Sequence, residues 1–245
     1  MAAKADGKLK VFVSYSRNDL KFADQLVAAL DAFGFEVVID RQDISGGENF
    51  AQRLSSLILD ADTVVFVLSP ESVVAKYCIW EVEEADRRGK RLIPIVCEPL
   101  DTAPVPQRLK SLDYIFFYDE VKSPGSGFGL GMARLVESLK IDLIWIREHT
   151  RLMGLASRWE QREKPEALLL RDNELEDAER WLATHPREAP EPTPQQRAFL
   201  AASRAAQEAR SHQEVTRLEE MQKAQEARAR ALADSEAAQR QREAA

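Results

Sequence analysis

Hydrophobic and polar positions alternate in a regular rhythm between residues 10 and 118. Short runs rich in β-branched residues are apolar almost throughout, which is typical of strands buried on both faces of a parallel sheet. The longer stretches between them carry apolar residues three and four positions apart, as helices that cover a sheet do. Five strands are predicted, at 10–15, 35–40, 63–69, 91–96 and 114–118. Three helices are predicted between them, at 18–34, 49–61 and 70–89.

This alternation predicts an α/β fold, a flavodoxin-like doubly wound five-stranded parallel sheet followed by C-terminal helices. Gly34 and Gly89 end the first and third predicted helices, where glycine readily adopts the left-handed backbone of a helix end. Ligands of such sheets bind beyond the carboxyl ends of the strands. Three polar loops are expected at that edge, at 14–19, 40–49 and 69–72.

Beyond the last strand the pattern predicts only helices. A glycine-rich connector leads into a helix expected over 132–163, and a short helix is expected at 173–185. The last segment contains neither Gly nor Pro and has few large apolar residues. It is therefore expected to be a lone helix or a weak coiled coil. The predicted organisation is an α/β domain (8–150), a helical extension (151–185), a Pro-rich linker (186–194) and a long Ala/Glu/Gln/Arg helix (195–245).

The composition of the chain argues against several classes of function. The net charge of -7 argues against general affinity for nucleic acid. No run approaches the roughly 20 apolar residues that span a bilayer, and the N-terminus lacks the apolar core of a secretory signal. The two cysteines, Cys78 and Cys97, lie in apolar runs and suit a reducing compartment. A cytoplasmic protein is expected, and the sequence contains no plausible metal cluster. Cys78 is interpreted as a core residue rather than a nucleophile, since the three histidines fall outside the predicted sheet.

The sequence lacks the motifs of three other classes of protein that bind ligands at the carboxyl edge of a parallel sheet. A phosphate-accepting receiver domain needs acidic residues after the first strand and an aspartate after the third. The chain offers Tyr15-Ser16-Arg17 and Ser69-Pro70 instead. No P-loop motif occurs, and the glycines of 124–131 miss the dinucleotide-binding spacing. That glycine-rich segment is interpreted as a connector.

The third predicted helix carries four acidic residues close together. Spacing places Val74, Cys78, Val82 and Ala85 against the sheet. Glu83, Glu84 and Asp86 are expected to face solvent. Tyr77 and Glu81 are four residues apart at the edge of the apolar stripe, so they lie on one face of the helix near the predicted cleft. The pattern alone favours a structural role for Glu81.

Three segments in order resemble the conserved boxes of the Toll/interleukin receptor (TIR) domain family. KVFVSYSRND resembles the first box, DRQDISGGENF resembles the second box or BB loop, and SPESVVAKYCIWEVEEA resembles the segment that carries a family glutamate. The resemblance covers roughly residues 8–150 and is greatest to bacterial and plant members that cleave NAD. It implies that Glu81 is the catalytic residue. Tyr77 stands where the family usually has Trp, which preserves an aromatic face.

The resemblance and the edge position together suggest the substrate-binding residues. These are Tyr77, Ser14, Tyr15, Ser16, Arg17 and Asp43. Arg17 is equally interpretable as a phosphate ligand or as a solvated arginine at a helix start. Asn18 and Asp19 are interpreted as helix N-caps. The BB-loop residues Ile44, Ser45, Gly46 and Gly47 are candidates for self-association, although a two-glycine turn is equally typical of a flexible loop.

The resemblance implies an NAD+ glycohydrolase that releases nicotinamide with ADP-ribose or a cyclic product. NAD+ would be the substrate, and no cofactor or metal is expected. Bacterial relatives imply antiphage defence, activation by self-association into a homo-oligomer through TIR–TIR contacts, and a sensor or effector domain beyond this chain. The alternative is a non-catalytic TIR scaffold that makes only homotypic signalling contacts.

Overall fold

A five-stranded parallel sheet forms the centre of the computed structural model, which describes residues 8–40, 49–120, 126–186 and 189–243. The strands are β1 (Lys10–Ser14), β2 (Glu36–Val38), β3 (Thr63–Leu68), β4 (Arg91–Val96) and β5 (Ile115–Phe116). Their order across the sheet is β2-β1-β3-β4-β5, and every neighbouring pair is parallel. This is the flavodoxin-like order, and it confirms the predicted fold class.

Helices cover both faces of the sheet and continue beyond it. They are α1 (Leu20–Ala32), α2 (Asn49–Asp60), α3 (Lys76–Arg87), α4 (Gln107–Lys110), α5 (Phe128–Lys140), α6 (Leu143–Gln161), α7 (Asp172–Ala183) and α8 (Pro194–Glu243). Short 3-10 helices occur at Arg17–Asp19 and Glu166–Leu168. The sequence pattern missed α4, which is only four residues long.

Alternate residues of the central strands enter two separate apolar layers. Val11 and Val13 of β1 pack with α1 and α5, whereas Phe12 packs with α2 and α3. All six residues of β3 are buried, as expected for a strand covered on both faces. Because apolar layers lie on both faces of the sheet, β1 and α3 have fixed positions. The side chains that these two elements place at the carboxyl edge are fixed as well.

α3 begins later than predicted because a serine turn precedes it. The backbone N–H of Ser69 donates to Oγ of Ser72, and the N–H of Ser72 donates to Oγ of Ser69, at 2.9 and 3.0 Å. Such side-chain bonds compete with helical hydrogen bonding. The prediction that Val74 faces the sheet is therefore wrong: Val74 is exposed, and Val73 is buried instead.

The single helix predicted over 132–163 is two helices in the structure. Asp142 adopts the left-handed backbone (φ 53°) between α5 and α6, a conformation that Asp tolerates better than most residues. The predicted domain division at residue 150 falls inside α6. α6, α7 and the first turns of α8 then pack together, and we call these three helices the C-terminal bundle.

The C-terminal bundle has an aromatic core. Its largest buried residues are Trp145, Trp159, Trp181 and Phe199. Phe199 lies in α8, so the start of that helix is packed rather than lone as the sequence suggested. From 211 to 232 every residue of α8 is exposed. Within the described ranges, no helix is both long and apolar enough to cross a bilayer.

The C-terminal bundle contacts the sheet at its amino edge, around Gly89 and Lys90. Lys90 is buried and donates to the carbonyls of Leu59 and Ala61, both at 2.7 Å. Burial lowers the pKa of Lys90 to about 7. Gly89 has φ +61°, and a Cβ there would lie 2.7 Å from Cγ2 of Thr193. Glycine at position 89 therefore allows both the left-handed backbone after α3 and the close contact with the segment before α8.

Substitution of Gly89 by alanine tests this contact. Gly34→Ala is the matched control, since Gly34 also has positive φ (+88°) but nothing within 4 Å of its Cβ position. Gly34→Ala should cost about 1–2 kcal/mol of unfolding free energy from backbone strain. Gly89→Ala should cost about 1–3 kcal/mol more from the clash. Urea unfolding measures both, and equal losses would mean that the C-terminal bundle does not press on Gly89.

Candidate functional site

A cleft of about 240 Å³ opens at the carboxyl end of β1, beside the start of α3. Its walls contain residues that follow β1 and β2 and residues of α3. The lining residues are Val13, Tyr15, Ser16, Arg17, Asp40, Ala75, Tyr77, Cys78 and Glu81. Five of the predicted site residues are therefore in one cleft. Ser14 adjoins them through its hydrogen bond to Glu81. Asp43, Ile44, Ser45, Gly46 and Gly47 lie outside the described residues.

Glu81 is buried in the cleft wall although it belongs to an acidic helix face. Only 7% of Glu81 is exposed. Ser14, at the end of β1, is also buried, and its hydroxyl donates to Oε2 of Glu81. β1 is the strand between β2 and β3, and Ser14 itself pairs with Phe66 of β3. The result is a carboxylate positioned by two different elements, the central strand and α3.

The protonation of Glu81 is set by burial. Removal from water raises the pKa of Glu81 to about 7. The hydrogen bond from Ser14 opposes this rise, and the nearby Asp40 carboxylate adds to it. A group that titrates near neutral pH can hold or release a proton under ordinary conditions, which is the property required of a general acid or base, and its ionised form can also stabilise a positive charge.

Asp40 is a second carboxylate of the cleft and was not predicted as a site residue from the sequence. It follows β2, and its Oδ1 accepts from Nη2 of Arg53 at 2.7 Å. Its backbone carbonyl accepts from the hydroxyl of Tyr15 at 3.1 Å. Its position directly after a strand at the ligand-binding edge was the signal that could have identified it.

The remaining cleft residues form an open rim. The aromatic side chain of Tyr77 and the guanidinium of Arg17 belong to exposed residues. Ser16 is buried and caps the 3-10 helix that begins with Arg17, since its hydroxyl accepts from the N–H of Asn18. The rim therefore contains a cation and an aromatic ring, and Ser16 has a structural role as a helix cap.

Asp19 does not act as the side-chain N-cap that the sequence suggested. It precedes α1, but its side chain makes no capping hydrogen bond. Its Oδ2 accepts from the hydroxyl of Ser69 at 2.6 Å instead. This hydrogen bond therefore connects the loop after β1 to the loop after β3.

Glu84 was expected to face solvent, and this expectation is wrong. Only 5% of Glu84 is exposed. Its carboxylate accepts from Ser55 of α2 and from the guanidinium groups of Arg87 and Arg88. Burial acts to raise the pKa of Glu84, but these hydrogen bonds outweigh it and hold the pKa below its ordinary value. The residue therefore has a structural role. The arginines three and four positions later were its sequence signal.

The two thiols are unsuited to nucleophilic chemistry. Burial raises the pKa of both Cys78 and Cys97 to about 12. Asp19, Cys97 and Glu98 form one group of potential metal ligands within the described ranges. These side chains are partly buried or exposed, and such acidic clusters are common without an ion. They lie outside the cleft and do not contribute to its chemistry.

Replacing Glu81 by glutamine should raise stability in a pH-dependent way. The folded-state pKa of Glu81 lies above the unfolded value, so the native state loses stability as pH rises from 4.5 through about 7. Glutamine cannot ionise and avoids this loss. The gain of Glu81→Gln over the native chain should be close to zero at pH 4 and about 3 kcal/mol at pH 8.

Denaturant unfolding at several pH values measures this gain, with Glu83→Gln on the exposed face of α3 as the control. A gain that does not change between pH 4 and pH 8 would contradict a buried, ionising Glu81.

Comparison with known proteins identifies the α/β part of the chain. Residues 11–129 match the family model for the TIR domain. The chain is 28% identical to Toll-like receptor 2 of Bison bison over 119 residues, which are 45% of this chain and 15% of that protein. It is 27% identical to Toll-like receptor 1 of Homo sapiens over 141 residues, which are 54% of this chain and 18% of that protein. The chain thus spans less than a fifth of these curated relatives.

Similar solved structures include the TIR domain of the Toll-related receptor TRR-2 from Hydra magnipapillata, with 22% identity and a TM-score of 0.42 over 52% of this chain and 97% of that chain. The CMP N-glycosidase BcmB of Clostridium botulinum has 17% identity and a TM-score of 0.40 over 53% and 99%. Likenesses of this strength carry no information about activity. The family match, the sheet order and the three motifs agree, and residues 11–129 are a TIR domain.

Proposed function

We propose that this TIR domain is an NAD+ glycohydrolase that cleaves the bond between nicotinamide and ribose. The observation that carries the proposal is the buried carboxylate of Glu81, held by Ser14 in a cleft at the ligand-binding edge of the sheet. NAD+ acts as the substrate, and the reaction requires no cofactor. The products are nicotinamide and either ADP-ribose or a cyclic form.

One carboxylate is sufficient for this chemistry. When the glycosidic C–N bond breaks, its electron pair moves to the positively charged nicotinamide ring, which leaves as a neutral molecule. No acid has to protonate the leaving group. Positive charge develops on the ribose, and an anion in a water-poor cleft stabilises it. Water, or the adenine base in a cyclising reaction, then attacks the ribose carbon and gives up a proton.

The other cleft residues have roles that match parts of NAD+. Tyr77 supplies an aromatic face for the nicotinamide, and Arg17 supplies a guanidinium for a phosphate. Asp40 provides a second acceptor for ribose hydroxyls. A cleft of about 240 Å³ suits the nicotinamide–ribose end, because whole small-molecule sites usually measure about 300–1,000 Å³. The rest of the dinucleotide extends past the rim.

We further propose that self-association gates the activity. The segment Ile44, Ser45, Gly46 and Gly47 would contact a second TIR domain, as the family resemblance implies. The long exposed part of α8 would connect the TIR domain to a sensor or effector domain. A role in antiphage defence through NAD+ depletion fits this arrangement, with the protein acting in the cytoplasm.

A non-catalytic scaffold is the second candidate. It is favoured by Tyr77, since the family usually has Trp at that place. The curated relatives are also Toll-like receptors. A scaffold would bind other TIR domains through the same loops without turning over NAD+.

Release of nicotinamide by concentrated protein distinguishes these functions. We expect turnover that rises with pH through about 7, because the ionised form of Glu81 stabilises the ribose cation. Glu81→Gln should lower the rate by about 100-fold or more. Glu83→Gln, on the exposed side of the same helix, should retain it. Turnover that survives Glu81→Gln would remove Glu81 from the mechanism, and a concentrated native protein without turnover would favour the scaffold.

A concentration series tests the self-association gate. Gly46→Asp should lower the specific activity more in dilute than in concentrated samples, because mass action compensates for a weakened contact. Light-scattering mass measured on the same samples relates activity to assembly. An equal loss at every concentration would count against a subunit contact at Gly46.

A further inference from the structure

A second and larger cavity lies at the opposite end of α3 from the candidate active site. It measures about 390 Å³ and separates the end of α3 from α6 and the start of α8. Its polar lining includes Arg87 and Arg88 from the TIR domain, and Ser157, Glu160 and Gln195 from the C-terminal bundle. We propose that this cavity binds a small oxyanionic ligand, a molecule carrying phosphate or carboxylate groups. This site is independent of the proposed NAD+ chemistry.

Arg88 is the central residue of this site. Its side chain is only 13% exposed, which fixes the guanidinium in place. Nε donates to Glu84 and Nη2 donates to Ser55, both at 2.6 Å. Nη1 donates to no protein group in the described part of the chain. Two N–H groups of a positioned guanidinium thus remain for a ligand at the cavity wall.

Arg87 adds a second cation at the same wall. Its Nε and Nη2 both donate to Oε2 of Glu84, and its side chain is 67% exposed. One carboxylate, Glu84, is therefore shared by two guanidinium groups, so its charge cannot fully satisfy both. A guanidinium group can donate two parallel hydrogen bonds to a pair of phosphate or carboxylate oxygens, a match that no other side chain provides.

The bundle side of the cavity supplies polar groups and a single acid. The Ser157 hydroxyl is 3.4 Å from Oε1 of Gln195, and the amide Nε2 of Gln195 donates to Glu160. Glu160 is the only acidic residue among those that line the cavity. With Glu84 it balances the charge of the two arginines, so the site depends on the positioned N–H groups of Arg88 rather than on a net charge. The mostly polar walls disfavour an apolar ligand. The volume is within the range of small-molecule sites.

The position of the cavity makes it a site of the whole chain rather than of the TIR domain alone. α6 and α8 supply most of its lining, and they lie beyond residue 129. Arg88 follows Glu81 by seven residues, which is about 10 Å along the helix. A bound anion would therefore contact the same helix that carries the candidate catalytic carboxylate.

Pyrophosphate is a suitable probe for the experiment. Calorimetric titration of the full chain at constant ionic strength should show saturable binding. Arg87→Gln should weaken it by about tenfold, since a charge-assisted contact is lost. Glu160→Gln should strengthen it by roughly threefold, since the one acidic side chain of the cavity lining loses its charge. Arg158→Gln, on the exposed face of α6 outside the cavity, is the matched control and should bind as the native chain does.

Two further measurements exclude misfolding of the variant and binding of pyrophosphate in the cleft. Circular dichroism should show native folding of Arg87→Gln, because Arg88 still neutralises Glu84. Arg17→Gln in the cleft should leave the binding unchanged. Absence of saturable binding, equal weakening by Arg87→Gln and Arg158→Gln, or loss of binding in Arg17→Gln would each overturn the proposal. None of these measurements depends on NAD+ turnover.

Discussion

The hydrogen bond from Ser14 to Glu81 is the interaction on which the candidate site depends. It joins the central strand of the sheet to α3 and places a carboxylate where a parallel sheet binds its ligands. Burying a carboxylate is unfavourable, and one hydroxyl donor offsets only part of that cost. The remainder persists as a raised pKa. The fold tolerates this unfavourable burial because β1 is paired on both sides and packed on both faces.

Glu81 and Glu84 belong to the same helix and are both buried, yet their protonation behaviour is opposite. Arg87, Arg88 and Ser55 surround Glu84, and their hydrogen bonds hold its pKa low in spite of burial. Glu81 has one hydroxyl and a neighbouring carboxylate, so burial dominates. The chemistry of the partners thus decides which carboxylate stays ionised and which titrates near neutral pH.

The fold could be predicted from the sequence because its signals are local. Continuous apolar runs such as that of β3 require cover on both faces, and the intervening amphipathic helices provide it. The prediction for Val74 failed because two serines form a turn before α3, a matter of side-chain geometry. The prediction for Glu84 failed because one of its partners, Ser55, lies on another helix.

Part of the candidate functional site could also be predicted from the sequence. The strand ends indicated the loops that meet at the carboxyl edge, and the family resemblance singled out Glu81. Asp40 and the cavity at the other end of α3 were missed. Both depend on how distant segments meet, and the packing of Phe199 that forms the C-terminal bundle has no periodic signal in the polar sequence of α8.

Direct titration of the Glu81 carboxyl group by 13C NMR tests the central claim most closely. Spectra of the native chain and of Glu81→Gln assign the signal, which should titrate near pH 7. Binding of a non-hydrolysable NAD+ analogue should lower that midpoint, because its nicotinamide cation would lie beside the carboxylate. A midpoint near 4.5 would contradict a buried site, and a midpoint that the bound analogue leaves unchanged would show that Glu81 is remote from the scissile bond.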